Sequence, residues 1–242
     1  MKTSLKIRPT GTKAFALALF VGGAGLAATP ALSQEDDFPG EFTADVTFIS
    51  DYVFRGVSLT DEDPAIQGTL EWGHDSGFYV GAWASSITLD DGSLEVDGYA
   101  GFSSDLGDTG FTYDVGAVFY AYPGSESVSD YIEIYGSLGR DFGLAAATVG
   151  VAYVPSGQSA FDGNDAVYVW GETEVPIPST PFSVGAHLGY EDFGGGSNKL
   201  DWSVGLYASY AGLDFGVAYM DTDLKGDTDA NARVVFSIGK SF

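Results

Sequence analysis

The sequence contains no cysteine, only two histidines and few basic residues. Without cysteine the chain cannot form a disulfide framework or a cysteine-ligated zinc site, and two histidines argue against a histidine-ligated one. Ten Lys and Arg stand against 34 Asp and Glu, for a formal net charge of −24 at pH 7. A chain this acidic lacks the basic patches that nucleic-acid binding needs. We therefore expect no cofactor, no metal and no nucleic-acid partner.

Long apolar runs are also missing, because no stretch reaches the roughly 18 consecutive apolar residues that indicate a membrane-spanning helix. Residues 1–33 have the features of a cleaved signal peptide, with basic residues first, an apolar run over 14–27 and small residues before a cleavage point after Ser33. A retained anchor is the alternative. Cleavage would leave 34–242 as a single domain with six basic and all 34 acidic residues, a net charge of −28.

What the sequence does contain is a repeated period-two alternation of apolar and polar residues, which is typical of strands with one apolar face. It is clearest over Ala230 to Phe242, where Val234, Phe236 and Ile238 share one face. The first such run is Glu41 to Arg55, and we count twelve along the chain. The aromatic content of 14% argues against disorder despite the acidity.

The connections between these runs alternate between short turns and mostly longer, acidic loops, with both termini at the short-turn end. Bacterial outer-membrane barrels have this polarity, and strands of about 9–11 tilted residues cross the bilayer. The predicted fold is therefore all-β, a transmembrane antiparallel up-and-down β-barrel of twelve strands in the outer membrane of a Gram-negative bacterium. Its last strand would pair with Glu41 to Arg55 and close the barrel. A soluble sandwich or lipocalin-like barrel, with the apolar face inward, is the alternative.

Seven short segments carry a resemblance to a known family. The chain reads SDYVFRGV at 50–57, DEDPAIQG at 61–68, SGFYVGAW at 76–83, YDVGAVFYAYPG at 113–124, DYIEIYGS at 130–137, HLGYEDF at 187–193 and DWSVGL at 201–206. In this order the segments resemble the TorF-like porin family of proteobacterial outer-membrane proteins, formerly a conserved uncharacterised family. The resemblance covers essentially all of 34–242. It implies an outer-membrane barrel with a porin function and supplies no catalytic residues.

The alternation also predicts which side chains face the lumen, and nearly all the charged ones are acidic. A channel lined by one sign of charge concentrates counter-ions and repels like charges. We therefore predict a narrow, water-filled porin for small solutes with an acidic, cation-preferring lumen, in which two arginines are the only inward positive charges. The candidate pore-lining residues are Asp45, Asp51, Arg55, Glu71, Glu95, Asp97, Asp114, Glu133, Glu172, Asp201, Asp214 and Arg233, with Glu174 and Glu191 on the same face.

Two other functions stay open at this point. If the acids pair with the arginines and the inward tyrosines, the barrel is a plugged scaffold without conductance. An outer-membrane lipid-modifying enzyme needs a nucleophile beside a base, but His187 is predicted to face the lumen and His74 to lie in a turn. The expected partners are outer-membrane lipids and lipopolysaccharide, small solutes or cations, and the barrel-assembly machinery. Resemblance to outer-membrane proteins makes Phe242 the assembly signal.

Overall fold

The computed structural model describes residues 39–89 and 91–242, so the predicted signal peptide lies outside the described part. Two single-turn 3₁₀ helices, Gly107–Thr109 and Ser159–Phe161, interrupt an otherwise all-β chain. Within these ranges no helix is long and apolar enough to cross a membrane. The strands of the main sheet are β1 (Glu41–Ile49), β4 (Ala65–Gly73), β5 (Phe78–Ser86), β6 (Leu94–Asp105), β7 (Phe111–Ala121), β8 (Tyr131–Asp141), β9 (Ala146–Val154), β10 (Ala166–Pro176), β11 (Phe182–Asp192), β12 (Asn198–Tyr210), β13 (Leu213–Thr222) and β14 (Arg233–Ser241).

These twelve strands form one closed antiparallel barrel. Each pairs with its neighbours in the chain, and β1 pairs with both β4 and β14, so the sheet has no free edge. At the seam Asp45 lies opposite Ser241, and the Phe242 backbone N–H donates to the Ala44 carbonyl oxygen at 2.8 Å. Closure satisfies the backbone groups that an open edge would leave unpaired. The predicted twelve-strand barrel, closed by its last strand, is confirmed.

The two ends of the barrel differ as the sequence predicted. Short turns join the strands at one end, over 74–77, 106–110, 142–145, 177–181 and 211–212. Mostly longer segments join them at the other, over 50–64, 87–93, 122–130, 155–165, 193–197 and 223–232. We call these the turn end and the loop end. β1 begins and β14 finishes at the turn end.

Large apolar side chains cover the outside of the barrel. Phe48, Val204 and Phe236 are 59%, 54% and 60% exposed, and similar residues recur at alternate positions on each long strand. The buried inward side chains are largely tyrosines, acids and serines. A soluble β-barrel would place the apolar set inside, whereas a barrel facing lipid places it outside. The apolar faces therefore lie where the membrane-barrel prediction put them.

Two strand boundaries were predicted wrongly. The run Glu41 to Arg55 is not one strand, because β1 ends at Ile49 and the chain then turns into the barrel interior. There β2 (Val53–Phe54) and β3 (Val57–Ser58) pair only with each other, as a small hairpin. The final strand begins at Arg233, while Ala230 is buried in the preceding loop. A strand of nine residues, such as β1, is long enough to cross the barrel wall. Both predicted runs were too long because the apolar–polar alternation continues into the adjoining loop-end segments, which lie outside the barrel strands.

Candidate functional site

The hairpin over residues 53–58, which we call the inner hairpin, crosses the lumen. It leaves the wall between β1 and β4, and its tip residue Arg55 reaches β8 and β11, about half-way round the barrel. Arg55 Nη2 donates to both carboxylate oxygens of Glu133, at 2.7 and 2.8 Å, and Nη1 donates to Glu191 Oε1 at 2.7 Å. The inner hairpin is therefore tied to the wall opposite its origin.

Local sequence explains how the tip is formed. Arg55 and Gly56 are the two central residues between the paired Phe54 and Val57, with φ values of 47° and 83°. Positive φ at both positions is the requirement of a type I′ turn, which matches the twist of a two-residue hairpin. A positive φ at a residue other than glycine carries strain, which the contacts of the arginine side chain offset.

The pocket that receives Arg55, which we call the arginine receptor, consists of Glu133 on β8, Glu191 on β11 and Tyr168 on β10. The guanidinium carbon lies 4.0 Å from the centre of the Tyr168 ring, within cation–π range. Lys199 on β12 forms an ion pair with Glu191, and the Tyr120 hydroxyl donates to Glu133 at 3.3 Å. The side chains of Arg55, Glu133 and Glu191 are only 9%, 5% and 4% exposed, so these charge-assisted contacts are shielded from water.

A second ion pair fixes the base of the inner hairpin. Arg233 Nη1 donates to Asp51 Oδ2 at 2.6 Å, which ties the start of the hairpin to the first residue of β14. The hydroxyls of Ser58 and Thr60 donate to Asp51 Oδ1 at 2.6 and 2.9 Å. Asp51 thus joins both arms of the hairpin to the wall.

Gly56 packs the tip closely against a third part of the wall. A Cβ atom at this position would lie 2.9 Å from the Cβ atoms of Asp201 and Thr222. Each of those Cβ atoms is bonded directly to a strand backbone, so it cannot turn aside as the far end of a flexible side chain could. Only glycine fits between the tip and strands β12 and β13.

Aromatic side chains line much of the remaining wall. Several inward rings cover a glycine on the same or a neighbouring strand, where an added Cβ would overlap the ring: Tyr79 over Gly101, Tyr99 over Gly81, Tyr135 over Gly116, Tyr168 over Gly189 and Tyr207 over Gly205. The Tyr99 hydroxyl donates to Glu71 at 3.0 Å and the Tyr79 hydroxyl to Asp114 at 2.6 Å. These rings therefore lie against the sheet.

A cavity of about 230 Å³ lies on the turn-end side of the inner hairpin. Its lining begins at Arg55 and Glu133 and continues past Asp114 to Glu172 and Glu174. Tyr135, Tyr168 and Trp170 supply aromatic surface along the same wall. The cavity therefore connects the arginine receptor with the turn-end half of the lumen along an acidic path.

The twelve predicted pore-lining residues all lie on the inward side. Near the loop end are Asp51, Arg55, Glu95, Asp97, Glu133, Asp201 and Arg233, and the middle and turn end hold Asp45, Glu71, Asp114, Glu172 and Asp214. The structure brings four of them together as two separate ion pairs, Arg55–Glu133 and Asp51–Arg233. Asp51 and Arg55 belong to the inner segment, although the sequence had placed them on the first strand.

The prediction that two arginines are the only inward positive charges is wrong. Lys199 is 4% exposed and inward, the third positive charge of the lumen. It is the second residue of β12 and shares the face of Asp201 and Ser203. The odd-numbered positions that Lys199 shares with Asp201 and Ser203 could have identified it as inward from the sequence.

The two histidines lie where the sequence put them. His187 is buried in the lumen, with Nε2 2.8 Å from the Tyr168 hydroxyl and 3.1 Å from Asp201 Oδ1. His74 lies in the first tight turn, where Nδ1 is 2.8 Å from Ser76 Oγ and also accepts the Ser76 backbone N–H at 3.0 Å. The His74 contact closes a turn. Among residues 39–89 and 91–242 no group of three or more acidic or histidine side chains is arranged to hold a metal ion.

Solved outer-membrane channels share this fold. A KdgM porin superposes with a TM-score of 0.58 at 9% identity, covering 83% of this chain and 98% of the porin. A NanC porin gives a TM-score of 0.58 at 15% identity over 82% of this chain and 98% of the porin. The COG4313 outer membrane channel from Pseudomonas putida F1 gives a TM-score of 0.53 at 11% identity, covering 87% of this chain and 100% of the channel. At such identities the likeness shows the fold alone.

Family membership comes from the sequence. No curated protein matches it. The TorF-like name inferred from the seven segments stays a prediction. The model of a family described as "Bacterial protein of unknown function (Gcw_chp)" matches residues 33–242. The chain therefore belongs to the Gcw_chp family.

Proposed function

We propose that this protein is an outer-membrane channel that passes small solutes and prefers cations. The observation that carries the proposal is the middle and turn-end part of the lumen, where Asp45, Glu71, Asp114, Glu172, Glu174 and Asp214 face inward. No lysine or arginine of the described chain faces inward there. The apolar outer face and the fold shared with porins support a place in the outer membrane.

Charge explains the preference for cations. Carboxylates in a narrow, low-dielectric passage add their fields, raise the local concentration of cations and exclude anions. One solved structure with this fold is a KdgM porin in complex with disordered oligogalacturonate, an acidic sugar polymer. Here the three inward basic side chains, Arg55, Lys199 and Arg233, are each paired with an acid. We therefore propose cationic or neutral solutes and not acidic polymers for this chain.

Conductance of the purified protein in planar lipid bilayers tests the proposal. Current steps are expected, and under a salt gradient the reversal potential should have the sign of a cation-selective pore. Anion selectivity would overturn the charge argument. As a control, Asp63→Asn removes an exposed acid of the loop-end segment and should leave the selectivity unchanged.

A plugged scaffold is the second candidate, because the inner hairpin spans the lumen and is tied down at both ends. The two functions predict different results in the same bilayer experiment. A plugged barrel gives no steps with the native chain and gives steps only after the hairpin is removed. We propose no enzymatic activity, and hydrolysis assays on phospholipid and detergent esters check this.

We also propose that Phe242 is read by the barrel-assembly machinery and that the loop end faces lipopolysaccharide. Phe242 completes the seam through its backbone bonds to Ala44. Deletion of Phe242 should reduce the amount of heat-modifiable barrel recovered from outer membranes. Normal recovery of that variant would contradict the assembly role.

A further inference from the structure

We propose that the arginine receptor is a binding site for soluble guanidinium compounds, which Arg55 occupies as a tethered ligand. The inference rests on the proposed function only for access through the lumen. It adds a ligand class and a place for it: small monosubstituted guanidinium ions, held by Glu133, Glu191 and Tyr168.

The geometry of the receptor matches a guanidinium group on its edges and on its face. Glu133 takes two hydrogen bonds from one nitrogen and Glu191 takes one from another, all between 2.7 and 2.8 Å. Tyr168 covers one face at 4.0 Å. A planar fork with several donors satisfies this arrangement, whereas an ammonium ion is compact and does not match both edges and a flat aromatic face.

The wall supplies these groups from three different strands, so the receptor does not depend on the inner hairpin for its shape. Glu133, Tyr168 and Glu191 lie on β8, β10 and β11, and each is part of the closed barrel. The inner hairpin contributes the guanidinium itself and the Phe54 ring, whose centre lies 4.8 Å from the guanidinium carbon. Truncation of Arg55 would therefore leave a formed pocket.

The vacated pocket would carry an uncompensated negative charge. Lys199 keeps its ion pair with Glu191, so the two glutamates and the lysine together leave one net negative charge in a site with side chains about 5% exposed. A buried charge without its partner is strongly unfavourable, so a cation that enters restores the balance. The vacated site should thus bind a cation, and the geometry selects guanidinium.

A soluble ligand has a path to the site. The cavity beneath the inner hairpin is lined both by receptor groups, Glu133 and Tyr168, and by the turn-end acids Glu172 and Glu174. The hairpin itself would stay in place when Arg55 is truncated, because its base is held by Asp51 and Arg233 and its tip by Gly56. In the native chain the tethered guanidinium has a local concentration of millimolar order or above, so free ligand competes poorly.

Binding of radiolabelled methylguanidinium to the detergent-solubilised full chain tests the inference without any need for conductance. The variant Arg55→Ala should bind one equivalent, about tenfold or more tighter than the native chain. The matched control Arg140→Ala, whose guanidinium lies over Phe111 and Phe142 outside the lumen, should behave as the native chain does. Methylammonium should compete about tenfold less well than methylguanidinium. Equal binding to R55A and the native chain, or equal competition by both ions, would overturn the proposal.

Arg55→Ser is tested in parallel, in case R55A does not fold, with heat-modifiable mobility as the folding criterion. If neither variant folds alone, refolding is compared in methylguanidinium and methylammonium. Rescue by methylguanidinium alone supports the site, and equal yields in the two ions contradict it. In bilayers, methylguanidinium should also block R55A more strongly than the native channel. A barrel that binds the ligand but never conducts would contradict the proposed function and leave the site established.

Discussion

The loop-end half of the lumen and the rest of the lumen both have walls with inward acids, but they differ in their basic side chains. Both carry inward acids, which include Asp51, Glu95, Asp97, Glu133, Glu191 and Asp201 near the loop end, and Asp45, Glu71, Asp114, Glu172, Glu174 and Asp214 in the middle and at the turn end. All three inward basic side chains of the described residues lie in the loop-end half, and the inner hairpin fills it. Obstruction and charge selection are therefore separate properties, located in different parts of one barrel.

The sharpest way to test this separation is to remove the inner hairpin. Replacement of residues 53–58 by two glycines should raise single-channel conductance severalfold, because the part of the chain that crosses the lumen is then removed. Cation selectivity should persist, since the turn-end acids are untouched. A similar shortening of the 193–197 loop serves as a control for loop length. Unchanged conductance in the hairpin variant would show that the obstruction lies elsewhere.

A milder perturbation of the same region is Gly56→Ala. The new Cβ would meet the Cβ atoms of Asp201 and Thr222 at 2.9 Å and would also strain a φ of 83°. We expect conductance between that of the native chain and that of the hairpin replacement, with frequent fluctuations as the tip undocks. The control is Gly157→Ala, where φ is 90° and nothing lies within 4 Å. A matching effect in the control would assign the change to backbone strain and not to lost packing.

The turn-end half is tested by Glu172→Gln combined with Glu174→Gln. Both side chains line the cavity, and the double change removes two acids of this half while keeping their volume. The cation-to-anion permeability ratio should fall by about a factor of two, with little change in conductance, because fixed charges in the passage set the local ion concentrations. If instead Glu191→Gln in the loop-end half changes selectivity more, the division proposed here is wrong.

The smallest effect is expected outside the barrel, at Asp91 in the 87–93 loop. Its carboxylate accepts hydrogen bonds from the Ser127 hydroxyl at 2.7 Å, the Glu126 backbone N–H at 2.6 Å and the Ser125 hydroxyl at 2.9 Å. These bonds lower the pKa of Asp91 to about 2. Because the pKa is lowered in the folded state, the ionised Asp91 carboxylate stabilises the loop fully above the ordinary pKa of 3.8. This stabilisation is lost as the pH falls towards 2.

Amide hydrogen exchange measures this contribution. Between pH 5 and pH 2 the protection of the Glu126 and Ser127 amides should decrease, after correction for intrinsic rates, while the barrel strands stay protected. Asp91→Asn should weaken protection at pH 5 and remove most of its pH dependence. Constant protection of these amides down to pH 2 in the native chain would mean that the carboxylate does not hold the 122–130 loop.

Sequence alone predicted the barrel because the period of two is a local property. A strand that faces lipid on one side and a wet lumen on the other must alternate, so Val234, Phe236 and Ile238 identify an outward face without knowledge of any partner. The same local rule missed Lys199 only because the predicted strand began at Leu200, two residues after the observed start at Asn198. Strand number, closure and the inward position of the acids therefore followed from pattern.

The inner hairpin did not follow from pattern, because what holds it is not local. The contacts of Arg55 with Glu133 and Glu191 join residues 78 and 136 positions apart, and no spacing within 50–57 reveals them. One usable sign was length, since the run from Glu41 to Arg55 exceeds the roughly 9–11 residues that a crossing needs. The Arg55-Gly56 pair between two short apolar stretches was a second sign, as it fits a two-residue hairpin turn.

The position of the Asp51–Arg233 pair has a consequence for the order of events when the chain folds. Its two residues are 182 positions apart, and the neighbouring bond from the Phe236 N–H to Ser50 Oγ spans 186. Both form only when the last strand meets the first, and contacts of such separation are slow to form. The base of the inner hairpin is thus completed by the last step of closure. A chain interrupted before β14 would lack the base anchor of its hairpin, so an unfinished barrel should leak.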